Sequence, residues 1–213
     1  MGYRKRPAYE KTEDKILEKL TGLIREIEEF VPFNEQEEKD KTELLRYLSS
    51  ENDVLTRNNK NAHITVSAWI VDKKREYVLM AFHNIYNSWA WLGGHADGNE
   101  NLQEVALKEV EEESGLCDVR FLKDDIFSLE IVPVFGHEKR GEYVPSHLHL
   151  NITYLLEADR NSHIRIKEDE NSKIGWIKNE EIKRYSTEPW LVERIYDKLC
   201  AKVMKECQYE TAL

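Results

Sequence analysis

Apolar positions along the chain change period twice, and each change marks a boundary. Between about residues 10 and 50, Ile16, Leu17, Leu20, Leu23, Ile24, Ile27 and Phe30 recur at helical spacing until Pro32 interrupts the pattern. A second helix is predicted to start at Asn34, with Glu37 in capping-box position, and to carry Leu44, Leu45 and Leu48. Two such helices are too little for an independent core, so they are expected to pack on the rest of the chain or on another subunit, which admits a homodimer. The polar, turn-rich stretch "SSENDVLTRNNKNA" from Ser49 to Ala62 reads as a connection. Residues 1–60 are therefore expected to be a helical extension with its linker, and residues 61–213 the main domain.

From His63 the period becomes that of strands. "HITVSAWIVD" and "EYVLMAFH", separated by Lys73, Lys74 and Arg75, predict a hairpin, and "IFSLEIVPVF" and "HLHLNITYLLEA" predict two further strands. The last alternates cleanly, with His147, His149, Asn151 and Thr153 on one face and Leu148, Leu150, Ile152 and Tyr154 on the other. Such a polar face usually meets solvent. After "KIGWI", a short helical segment at Glu180 to Arg184 leads to a final helix near Pro189, its inner side formed by Leu191, Ile195, Leu199, Cys200 and Val203.

Between these strands lies "WLGGHADGNENLQEVALKEVEEESGL", Trp91 to Leu116. Its helix is predicted over 102–114, with Asn101 as N-cap, Glu104 in capping-box position and Gly115 in the left-handed residue that ends it. At about 100° per residue, Glu109, Glu112 and Glu113 share the face of Leu102, Val105, Ala106 and Val110. Ionised carboxylates on an inward face are costly without a positive partner. Their oxygens suit Mg²⁺ or Mn²⁺ better than zinc. Ahead of the helix, Gly93, Gly94 and Gly98 predict a loop whose backbone can approach a ligand closely.

From Gly94 the stretch resembles the Nudix box, G-x5-E-x7-R-E-U-x-E-E-x-G-U with U a bulky aliphatic residue. Every fixed position agrees except the arginine, which here is Lys108. The resemblance implies an α/β fold, an α/β/α sandwich around a mixed sheet, and metal-dependent hydrolysis of a nucleoside diphosphate linked to another moiety. It implies that Glu109, Glu112, Glu113 and the Gly94 carbonyl bind Mg²⁺ or Mn²⁺, with Glu100 and Lys108 in support. Lysine keeps the charge of arginine but lacks its bidentate fork. Leu92 stands where the family commonly has proline. In some pyrophosphohydrolases of this family a glutamate ahead of a tryptophan-bearing strand is the general base. Glu170, six residues before Trp176 in "KEDENSKIGW", matches that description, with Glu168 as its competitor.

Other features narrow the function. A net charge of −10 argues against nucleic acid as a partner. No apolar run is long enough for a membrane span, and Cys117, Cys200 and Cys207 show no CxxC spacing, so a cytoplasmic protein is expected. Cys200 and Cys207 read as packing residues on a helix. His149 and Asn151 are candidates to line the substrate cleft, with Arg57 and His63 weaker ones. His147 and His149 also suggest a zinc pair, but zinc needs a third ligand and the choice among His63, His95 and His137 is arbitrary from sequence. Trp69, Trp89 and Trp91 can stack a base but read first as packing residues. A diphosphate hydrolase leads; a non-catalytic nucleotide sensor and an isoprenoid-diphosphate isomerase are the alternatives, the last disfavoured because no cysteine falls on a suitable strand.

Overall fold

The computed structural model of the protein describes residues 20–50, 53–139 and 141–211, with side chains through Cys207. Helix α1 covers 20–29 of the described chain and α2 covers Glu35–Ser50. Pro32 lies in the connection between them, and Asn34 caps α2 by accepting the Glu37 N–H at 2.9 Å. The expectation for Ile16 and Leu17 falls outside the described residues. The remaining elements are strands β1 (Ala62–Val71), β2 (Tyr77–His83), β3 (Ser88–Ala90) and β4 (Leu92–His95), helix α3 (Leu102–Ser114), and strands β5 (Val119–Phe121) and β6 (Ser128–Val134). After them come β7 (His137–Lys139), β8 (Glu142–Val144), β9 (His147–Ala158), β10 (Asn171–Lys178) and α4 (Ile182–Tyr185). The last helix begins as α5 (Pro189–Leu191), widens to a π turn over Val192–Tyr196 and continues as α6 (Asp197–Thr211).

One mixed sheet organises the molecule. Its order is β10-β2-β1-β9-β5, with β3 on β2, β4 on β1 and β6 on β9; β7 and β8 pair separately. Central strands β1 and β9 run parallel, with His63 beside His149 and Trp69 beside Leu155, and the other pairings are antiparallel. Parallel neighbours require a long crossover, and α3 lies in the chain between them. The predicted hairpin of β1 and β2 forms, turning at Arg75.

Two expectations are corrected. The glycine pair is not a loop: Gly93 and Gly94 belong to β4 and pair with Ser67 and Val66. A side chain on Gly93 would sit 2.3 Å from the Val66 carbonyl oxygen, so the glycine permits a close pairing that no apolar pattern announces. The polar face of β9 does not lie open to solvent either: Asn151 and Thr153 are buried, and His147 and His149 are half-buried. From Leu150 to Ala158 the strand is buried on both faces, as is all of β1, because layers cover both sides of the sheet.

Those layers hold two cores. Ile64, Val66, Ala68 and Ile70 of β1 and Leu150, Ile152, Tyr154 and Leu156 of β9 pack with Val105, Ala106 and Val110 of α3. Leu20, Leu23 and Ile27 of α1 and Leu44 and Leu48 of α2 join this same core, so the helical extension is packed on the main domain of its own chain. On the opposite face, Trp69, Val71 and Leu155 pack against Ile195, Tyr196, Leu199 and Val203, with Trp89 and Trp91 at the margin. The three tryptophans thus take the packing role. No helix among the described residues is long and apolar enough to cross a membrane.

Candidate active site

Helix α3 occupies the predicted span and its ends are made as expected. Asn101 accepts the Glu104 N–H, and Gly115, at φ 74°, sends its own N–H to the Glu111 carbonyl, a conformation glycine adopts without strain. The acids of the helix are graded rather than uniformly inward. Glu113 is 8 % exposed, Glu109 is half-buried, and Glu112 sits at the rim.

β4 brings backbone to these acids. The Gly93 N–H points at Glu113 Oε1 across 3.4 Å, and a Cβ on Gly94 would lie 2.4 Å from the Glu109 carboxyl carbon. Gly94 is therefore packed directly against the Glu109 carboxylate. Glu100 is exposed in the loop before the helix. Lys108 reaches Glu112 at 3.3 Å from the solvent side, as a one-turn pair with most of its side chain exposed.

A second lysine, which sequence reasoning passed over, completes the cluster. Lys167 Nζ lies 3.1 Å from Glu112 Oε2 and 3.0 Å from Glu170 Oε2, with its side chain 23 % exposed. Glu170 is thereby brought to the box acids, while Glu168 stays exposed. The loop that carries them is docked on the end of α3: the Arg165 N–H donates to the Ser114 carbonyl, and buried Asn171 donates from Nδ2 to the Glu113 carbonyl and accepts the Lys167 N–H. Lys167 and Asn171 flank Glu170 in the sequence, but nothing in a local pattern reveals that they face α3.

Charge is distributed unevenly over this cluster. Burial, with Glu109 as a like-charged neighbour, pushes the Glu113 carboxyl up to about 8. Burial also raises Glu109, against the pull of Lys167. Hydrogen bonding from Lys167 holds Glu112 below the usual carboxylate range. Burial works against the Lys167 ammonium, but its bonds to Glu170 and Glu112 outweigh that and raise its pKa. The inner pair, Glu109 and Glu113, is thus short of positive charge. Hard oxygen donors short of positive charge fit a divalent cation such as Mg²⁺ or Mn²⁺.

The polar face of β9 forms a second cluster. Asn151 is 2 % exposed; its Oδ1 accepts from Thr65 and Ser67 at 2.9 Å each, and its Nδ2 donates to Glu130 at 2.9 Å and to Thr153 at 3.0 Å. His149, near the mouth of the same face, is surrounded by rings: its centroid lies 5.0 Å from those of His95 and His147 and 5.2 Å from that of His63. Burial and these neighbours keep it neutral, and burial with nearby His63 lowers His95 to about 3. His137 stands apart, against Tyr86. Arg57 forms a bidentate pair with Asp97, at 2.8 and 2.6 Å, that ties the linker to the loop after β4.

Helices thus cover both faces of a mixed sheet, and one of them presents carboxylates beside a glycine-bearing strand, an α/β class of fold with an acidic site. Residues 61–199 match the NUDIX domain, and the chain belongs to the Nudix family, hydrolases of pyrophosphate-type anhydride bonds. Similar solved structures include an Ap4A hydrolase binary complex from C. elegans, 15% identical over 68% of this chain and 97% of that one, with a TM-score of 0.49. A NUDIX-family hydrolase from Clostridium perfringens is 23% identical over 67% of this chain and 96% of that one, TM-score 0.47. The E. coli dihydroneopterin triphosphate pyrophosphohydrolase is 14% identical over 63% and 92%, TM-score 0.47. These likenesses are distant, and membership rests on the match over residues 61–199. No curated protein matches the chain.

Proposed function

We propose that the protein is a nucleotide pyrophosphohydrolase that cleaves the diphosphate of a small nucleoside diphosphate derivative with Mg²⁺ or Mn²⁺. The observation that carries this reading is Glu113, a buried carboxylate lifted to about 8 beside Glu109 and facing the β4 backbone. Glu109, Glu112, Glu113 and the Gly94 carbonyl would hold the ion. When bound, a divalent cation neutralises the diphosphate and lowers the pKa of water. β4, paired to β1, and α3, packed on the sheet through Val105, Ala106 and Val110, keep the acids fixed, so little reorganisation accompanies the reaction. Glu170 takes the proton of the attacking water on its carboxylate, and Lys167, bonded to both Glu112 and Glu170, holds that base near the ligand acids. Lys108 supports Glu112 from outside, and Glu100 anchors the approach to the helix. His149 lines the cleft, and Asn151, whose amide is fully engaged inside, fixes the wall behind it. The cytoplasm is the proposed location, consistent with Cys117, Cys200 and Cys207 forming no disulfide.

The test is a panel of nucleotide sugars, dinucleoside polyphosphates, nucleoside triphosphates and dinucleotides assayed with each metal. Glu112→Gln and Glu113→Gln should leave the circular dichroism spectrum unchanged and lower kcat on the best substrate by about 100-fold or more. Full activity in both variants would sink the assignment; nucleotide binding and thermal stabilisation without product would make the protein a sensor.

A further inference from the structure

The parallel register of β1 and β9 places His63 beside His149, and alternation along β9 puts His147 on the same face. One ring nitrogen from each of the three lies within 4.8 Å of the other two. The hydrogen bonds of these rings settle which atoms face inward. His63 Nδ1 is 3.0 Å from the Asn59 carbonyl oxygen and His147 Nδ1 is 2.8 Å from that of Pro145. A carbonyl can only accept, so each Nδ1 carries the hydrogen, and in the neutral ring Nε2 is left with a bare lone pair. His147 Nε2 lies 3.2 Å from His149 Nε2, which can donate to it. His63 Nε2 is buried with no hydrogen-bond partner among the described residues, in a residue only 4 % exposed. A hydrogen bond between two histidines accounts for one lone pair and leaves the other uncompensated.

We propose that His63, His147 and His149 form a second metal site, separate from the glutamates, for a borderline transition cation of the Zn²⁺ class. A ring nitrogen that binds metal typically has its other N–H on a carbonyl or carboxylate, which is the arrangement of His63 and His147. At a Zn–N distance of roughly 2.0–2.1 Å, tetrahedral ligand nitrogens stand about 3.3 Å apart. The His147–His149 separation already matches, and the His63 nitrogen lies within 4.8 Å of both. Three imidazoles leave one position open for water or an anionic oxygen. His95, whose ring centroid lies 5.0 Å from those of both His63 and His149 and which follows Gly94 in β4, connects this site to the strand that meets Glu109. The proposal does not depend on the hydrolase reading, because none of its ligands belongs to the glutamate set, although His149 also lines the proposed cleft.

Untagged full-length protein, stripped with chelator, should bind one equivalent of Zn²⁺ in calorimetry even when it carries Glu112→Gln and Glu113→Gln together. Co²⁺ in place of Zn²⁺ should give visible absorption of a tetrahedral nitrogen site. His147→Ala, at the half-buried mouth, should weaken Zn²⁺ binding about 100-fold or more, since loss of an outer partner alone costs 10–100-fold. Zn²⁺ should raise Tm in the double glutamine variant and not in His147→Ala. His149→Ala should behave like His147→Ala. Two results would overturn the site: no saturable Zn²⁺ binding in the double glutamine variant, or Zn²⁺ binding unchanged by His147→Ala. Inorganic phosphate that binds in place of Zn²⁺, and is lost with His147→Ala, would overturn it in favour of an anion pocket.

Discussion

Glu113 shows how burying one carboxyl ties stability to pH. Its carboxyl moves from an ordinary 4.5 to about 8 in the folded, metal-free protein. Between those values the folded state keeps a proton that the unfolded chain has lost, so the unfolded state binds fewer protons and stability falls as pH rises. Below the window the contribution is fully present; above it the loss is on the order of 5 kcal/mol. Metal-free protein should therefore show a Tm that declines from pH 5 to pH 8. Glu113→Gln, which needs no proton, should flatten the decline and should also remove any rise in Tm on addition of Mg²⁺ or Mn²⁺, as the proposed ion site requires. A decline of equal steepness in the variant would show that another group carries it. Lys108, by contrast, is an exposed i,i+4 partner of Glu112, where such pairs contribute little. The buried-side support of the same carboxylate comes from Lys167.

At the scale of elements, the loop over residues 165–171 decides which of its acids reaches the cluster on α3. Its turn is closed by the Glu170 and Asn171 N–H groups on the Lys167 carbonyl, and Asn171 then starts β10. Glu170 points back to Lys167 and the helix, and Glu168, two residues earlier, stays exposed. Glu170→Gln should lower kcat by roughly 10²–10³-fold with little change in KM, while Glu168→Gln changes neither more than twofold, the pattern of an interaction made in the transition state. Equal and small effects from both would leave the base among the acids of α3. The alternation of β9 and the spacing of α3 were legible because each is a local period. The pairing of β4 with β1 was not, since a Leu-Gly-Gly-His segment has no period and becomes a strand only when Val66 and Ser67 lie beside it.

The whole molecule is tied together by a buried charge network that joins the first described helices to the last one. Glu37 is fully buried; it takes Lys202 at 2.7 Å, Lys198 at 3.2 Å, the Ser128 hydroxyl at 2.6 Å and the Phe33 N–H at 2.7 Å. Lys198 continues to Glu130 at 2.9 Å, and Glu130 holds Asn151 and Thr153 under the histidine site. Burial opposes ionisation of Glu37, but Lys198 and Lys202 outweigh it and hold its pKa below the ordinary value. Removing one partner leaves the others buried and uncompensated, so Glu37→Ala should cost about 3–5 kcal/mol in urea unfolding. Glu37→Leu combined with Lys202→Met should recover part of that loss. If Glu37→Ala unfolds like the wild type, the helical extension is not held by this network.

Local sequence determined what depends on neighbours along the chain. Helix α3 with both its caps, the acids at one phase of it, the β9 alternation and the break at Pro32 all follow from spacing, because helix and strand periods act over a few residues. Asn34 and Glu37 were recognisable as a cap for the same reason, and the cap is present. Tertiary structure alone decided that Glu37 is also a buried anion, that Lys167 completes the acid cluster and that His63 is the histidine beside His149. Those contacts join residues separated by 165, 55 and 86 positions. No periodicity extends that far, and each exists only because burial in a shared layer makes an unpartnered charge or lone pair costly.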